Sequence, residues 1–103
     1  TAYLVAMNNS MEKMMYGMIA PPTGKLDHDF VQMMMPHHQA AIDMAQVYLR
    51  FGSNAQLQRI AQEIIVEQQQ EVVAMRLAIG EELLPSAPAP TRIGSIEIEI
   101  GSR

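Results

Sequence analysis

The residues most able to do chemistry sit in one stretch. Phe30-Val31-Gln32-Met33-Met34-Met35-Pro36-His37-His38 runs on through Ile42-Asp43-Met44-Ala45. Imidazole nitrogen is a borderline metal ligand and a thioether a soft one, and the combination suits Cu(I) and also Ag(I). On a helix Met34, His37, Ala41 and Met44 line one face, so sulfur, nitrogen and sulfur project toward a common line with small Ala41 leaving room between them. Further along, Gln68, Glu71 and Met75 recur about one turn apart. The candidate metal ligands are therefore His37, His38, Met34, Met44 and Met75, with Gln68, Glu71 and Met33 as further candidates.

Each of these has a plainer explanation. A lone inward histidine is more often a hydrogen-bonded core residue than a ligand. Two adjacent histidines with methionine at helical spacing tip the balance toward metal. His28 lies between Asp27 and Asp29 at a helix start and reads as a surface residue. Met7, Met11, Met14 and Met18 share one helical face of an earlier segment and read as packing, since methionine fills irregular gaps.

Three helices are expected to position these residues. The first runs from Ala2 to about Ile19 and is ended by Gly17 and Pro21-Pro22. The second opens with Asp27 as N-cap and runs to Phe51, with Gly52 as the residue that turns the chain out. Its polar side is Gln32, Gln39, Asp43, Gln46 and Arg50, which turns both His37 and His38 inward. Pro36 removes one backbone bond just before the histidine pair and should kink the helix there. Ser53-Asn54-Ala55-Gln56 reads as a capping box for a third helix that stops at Gly80. Its inward stripe is expected at Leu57, Ile60, Ile64, Gln68, Val72, Met75 and Ile79. So short a link makes the second and third helices an antiparallel hairpin, in which position 38 falls near position 68. Met75 and Gln68 can then approach the histidines.

Residues 1–84 thus form the helical, metal-binding part. Residues 85–103 change character: Pro85-Ser86-Ala87-Pro88-Ala89-Pro90 is a stiff linker, and Ile96-Glu97-Ile98-Glu99-Ile100 alternates as a strand does. Such a strand needs a partner, as from a second copy of the chain; otherwise the segment is a tail.

Bulk composition excludes several classes. At 103 residues the chain is one domain, with 49% apolar and 17% charged residues, which sets it apart from disordered tails. A net charge of −4 with scattered Lys and Arg argues against nucleic acid, which needs clustered cations. No apolar run approaches the roughly 20 residues of a membrane span. Ten methionines and no cysteine suit a copper protein outside the cytosol, where thiols oxidise. Beginning at Thr1-Ala2-Tyr3, the numbering is expected to start within a longer precursor whose signal sequence is removed.

Phe-x-x-Met-Met-x-Pro-His-His-Gln-x-Ala-Ile-Asp-Met-Ala, followed by Gln68-x-x-Glu71-x-x-x-Met75, resembles the family catalogued as domain of unknown function 305, which includes CopM-like periplasmic copper-binding proteins. The likeness covers roughly residues 27 to 79. It implies a ferritin-like helical bundle, a periplasmic or secreted location, and copper or silver held by His37, His38, Met34, Met44 and Met75. This chain departs from the pattern in lacking tryptophan, in running into Gly80-Glu81-Glu82, and in its Ile-Glu tail.

An enzyme is the weaker expectation. A di-iron centre in a helical bundle needs Glu-x-x-His, and none occurs; without cysteine, the serines lie at caps or in the tail, away from the histidines. A metal-free, methionine-rich interaction or oligomerisation module is the alternative. Incomplete burial by three helices argues for a symmetric homodimer or larger oligomer under either reading.

Overall fold

The computed structural model describes residues 1–81. It is all-α: α1 spans Ala2–Gly17, α2 Leu26–Phe51 and α3 Ala55–Ala78, with no strand among the described residues. The linker at 85–90 and the strand pattern at 96–100 lie outside them.

Local chemistry explains most helix ends. The Thr1 hydroxyl accepts the Leu4 N–H at 3.2 Å and starts α1. Asn54 starts α3, its Oδ1 accepting the Leu57 N–H at 2.9 Å, so the cap falls one residue later than a box opening at Ser53 would put it. At the far end Gly80 takes φ +83°, its N–H donating to the Leu77 carbonyl and that of Glu81 to the Arg76 carbonyl. That pair of bonds is a Schellman ending, which a glycine makes without steric cost.

The start of α2 differs from expectation. Its N-cap is Lys25, with no side-chain bond, and Asp27 lies inside the first turn. Asp29, from within the helix, ties down the loop that precedes it. Its carboxylate accepts from the Thr23 N–H at 2.8 Å, the Thr23 hydroxyl at 2.7 Å and the Gly24 N–H at 3.0 Å, folding the preceding loop back over the helix start. These bonds, chiefly the Thr23 N–H, hold the Asp29 carboxyl below its ordinary range.

Pro36 does not interrupt α2, which runs unbroken for 26 residues. At its end Gly52 is extended rather than left-handed, with φ −84°. It is needed there for space: a Cβ would fall 2.2 Å from the Tyr48 ring. Tyr48 in turn accepts the Asn54 N–H at 3.2 Å, and Gln58 donates to the Gly52 carbonyl at 3.0 Å, which pins the turn between α2 and α3.

α2 lies in the middle. It packs against both neighbours, and α1 and α3 do not pack against each other. Its buried residues accordingly form two stripes on nearly opposite sides: Ala40 and Val47 toward α1, and Val31, His38, Ile42 and Ala45 toward α3. On the α1 side Gly17 lies against Pro36, where a Cβ would come within 2.9 Å of the proline Cβ. Tyr3 meets Phe51 edge-on at 6.1 Å, and Lys13 reaches Asp43 at 3.7 Å. The buried residue of α1 is Ser10, whose hydroxyl donates to the Ala6 carbonyl. Met7, Met14 and Met18 are half-buried beside it, whereas Met11 is 47% exposed, so the expected methionine stripe is interrupted. On α3 the inward line passes through Ala61, Ile64, Gln68, Val72, Met75 and Ile79; Leu57 and Ile60, expected inside, are each 47% exposed.

Candidate metal site

His38 is a buried histidine with a partner at each ring nitrogen. It is 7% exposed, at the seam between α2 and α3. Nδ1 lies 2.9 Å from the Met34 backbone carbonyl, one turn back, and Nε2 lies 2.5 Å from Oε1 of Glu71 on α3. A carbonyl oxygen only accepts, so Nδ1 is the donor and the lone pair of a neutral ring belongs to Nε2. An ionised carboxylate also only accepts. A cation, whether a proton or a metal ion, fits between these two acceptors. Tethering one ring nitrogen to a backbone carbonyl is what orients a metal-binding histidine and leaves the other nitrogen free to coordinate.

His37 is not inward, contrary to the sequence expectation. Adjacent helical residues point about 100° apart. With His38 committed to α3, His37 falls in the gap between the two buried stripes and is exposed. Met34 and Met44 flank it on the same side of α2 and are half-buried; Met33 is 45% exposed. The hairpin register also shifts slightly. Glu71, rather than Gln68, meets position 38, while Gln68 is half-buried one turn closer to the loop. Met75, half-buried, lines a groove of about 550 Å³ with Leu26, Phe30 and Val31, one turn beyond Glu71. His28, as expected, is at the surface, its side chain 48% exposed and 3.8 Å from Asp29.

The structure thus joins His38, Glu71 and the Met34 backbone directly, and sets Met34, His37 and Met44 along one open flank of α2. Glu71 was only a secondary candidate in the sequence. Its signal was its spacing, one turn from both Gln68 and Met75, and what that spacing left open was which of the three meets His38. Among the described residues no three His, Asp or Glu side chains group together. A metal here would take its remaining donors from methionine, and that donor set fits a soft ion better than zinc or calcium.

A search of curated proteins found no match to this chain. The family sequence model described as "Domain of unknown function (DUF305)" matches residues 4–79, and so takes in all of α2 and α3, nearly all of α1, and every candidate ligand. The chain belongs to the DUF305 family.

Proposed function

We propose that this domain binds Cu(I), with Ag(I) as a second soft ion it accepts, using His38 as the anchoring ligand together with His37, Met34, Met44 and Met75. The observation that carries the reading is the His38 ring: buried, fixed through Nδ1 by the Met34 carbonyl, and turned so that Nε2 faces only an exposed carboxylate. A metal held at Nε2 would take the place that Glu71 faces. The Glu71 side chain is 61% exposed and free to swing. Half-buried Met34, one turn before His38, and half-buried Met75, one turn beyond Glu71, are the soft donors that spacing puts nearest.

Within its family the domain is read as one of the CopM-like members, exported to the periplasm or beyond and serving copper buffering, trafficking or resistance. Its three helices are read as a ferritin-like arrangement adapted to carry ligands rather than a di-iron centre. No reaction is assigned to it.

Titration of the purified, metal-free chain with Cu(I) against a competing chelator tests the proposal. Binding is expected at micromolar affinity or better, and weaker for Zn(II), because thioethers discriminate against zinc. Replacing both His37 and His38 by Ala should remove most of it. Undiminished binding by the double variant overturns the assignment, and tighter zinc than copper binding reduces the methionines to packing.

A further inference from the structure

The layer formed by the three helices has two open sides, one more polar than the other. On one side a concavity of about 650 Å³ has Lys13, Gln39, Asp43 and Arg76 in its lining, with apolar Met14, Met35 and Val72 among them. On the other, the groove beside Met75 is lined by Leu26, Phe30, Val31 and Ala78, with Asp27 as its one charged residue. Helical spacing extends this second side along α2 through Met33, His37 and Met44. Since Lys13 turns to the polar side to reach Asp43, the opposite flank of α1, carrying Leu4, Met7, Met11 and Met18, belongs to the apolar side. On α3 the flank shared with Met75 carries Leu57, Ile60 and Ile64, and with them the exposed carboxylate of Glu71.

A domain needs a second layer to cover such a face. Leu4, Met11, Leu26, Phe30, Met33, Leu57 and Ile60 are between 45% and 83% exposed. At roughly 150–200 Å² for a fully exposed side chain, the lower half of the aromatic range because six of the seven are not aromatic, they leave about 570–770 Å² bare among the described residues. That is at the top of or above the range for the largest apolar patch of most monomers and approaches the ~800 Å² each partner contributes to a stable interface.

We propose that this face is closed by a second copy of the chain, the two layers stacking apolar side to apolar side about a two-fold axis. Area supports a copy of the chain, and charge argues against a lipid surface. Lys13 and Arg76 line the opposite side, where they could not meet phospholipid headgroups. Two-fold stacking also brings the Met33, His37 and Met44 flanks of both copies into one interface. A soft ion held there would draw donors from two chains; that last step rests on the copper reading, whereas the pairing does not.

Sedimentation of the full, metal-free chain with chelator present, over a wide micromolar range, reads the pairing alone. A dimer is expected. Phe30→Glu should raise its dissociation constant at least about tenfold by burying an unpaired charge, while Gln46→Glu on the polar side leaves it unchanged. Circular dichroism checks that helicity is kept. Should Phe30→Glu lose helicity, Leu26→Glu decides, since that residue is 83% exposed and contributes little to the fold of one copy. A monomer at high micromolar concentration overturns the proposal. So does a dimer indifferent to both glutamates, or a monomer that pellets with neutral phosphatidylcholine vesicles. Loss of copper binding with the dimer intact would sink only the metal reading.

Discussion

The two seams of α2 are built in different ways. Against α1 the contact is a matter of shape: Gly17 lets the helices close at Pro36, Ser10 turns its hydroxyl back on its own backbone, and Tyr3 meets Phe51 edge-on. Its one ion pair, Lys13 with Asp43, joins a lysine side chain that is 69% exposed and contributes little. Against α3 the contact is a matter of chemistry. A histidine is buried among small and branched apolar residues, and its polar atoms are met by one carbonyl and one carboxylate. Burying so polar a ring is costly unless both nitrogens are used, and here they are. The difference teaches where to look for function. A seam made only by fit can be remade with many residue types, whereas the α3 seam keeps a group that apolar packing would replace more cheaply.

Three perturbations test that contrast. The largest effect on stability is expected from Gly17→Leu, which drives a side chain into Pro36. Overpacking of this kind costs about 1–3 kcal/mol. The melting temperature should fall while Cu(I) affinity stays at the parent value; a matching loss of affinity would show that α1 shapes the metal site. Next comes a pair of methionine sets. Leu at 34, 44 and 75 should weaken Cu(I) binding about tenfold or more, and each swap should cost under about 1.5 kcal/mol of stability, because Leu and Met are close in volume. Leu at 7, 11, 14 and 18 should leave binding nearly unchanged. If the second set weakens binding more than the first, the ligands lie on the α1 seam.

The smallest effect concerns Asp29. Its folded-state pKa is lowered, so its bonds to Thr23 and Gly24 stabilise the fold above the pKa of an unfolded aspartate. That contribution fades as pH falls through the lower folded value. Asp29→Asn should melt slightly earlier than the parent at neutral pH, with the gap closing in strong acid. A gap that persists there would mean the asparagine costs something other than charge.

Much of the frame was legible in the sequence. Three helices, the tight hairpin, the glycine ending of α3 and the surface position of His28 all follow from spacing and from residues with few conformational options. What could not be read was that α2 has neighbours on both sides. A periodicity argument assigns a helix one inward face, and on that assumption His37 and His38 both turn in. Two narrow stripes divide the circle differently and leave His37 in the open interval between them. The same reasoning explains Met11: once Ser10 marks the line of contact, residue 11 is rotated off it. The start of α2 was misplaced for another reason, since an acid four residues into a helix tying down the loop before it has no signature in spacing. Glu71 was visible only as one of three residues on a face, because the register of a hairpin depends on how its turn is pinned by Tyr48 and Asn54.

Because α1 and α3 do not pack against each other, α2 belongs to two packing units at once. Such an arrangement need not open all together. α1 can detach along a single seam while the hairpin, with its tyrosine-pinned turn and its buried imidazole, stays closed. Amide protons should then exchange with solvent in two tiers: those of α1 through a low-energy partial opening, and those along the α3-facing side of α2 through a rarer event that undoes the hairpin. A metal joining α2 to α3 would slow the second tier and leave the first where it is.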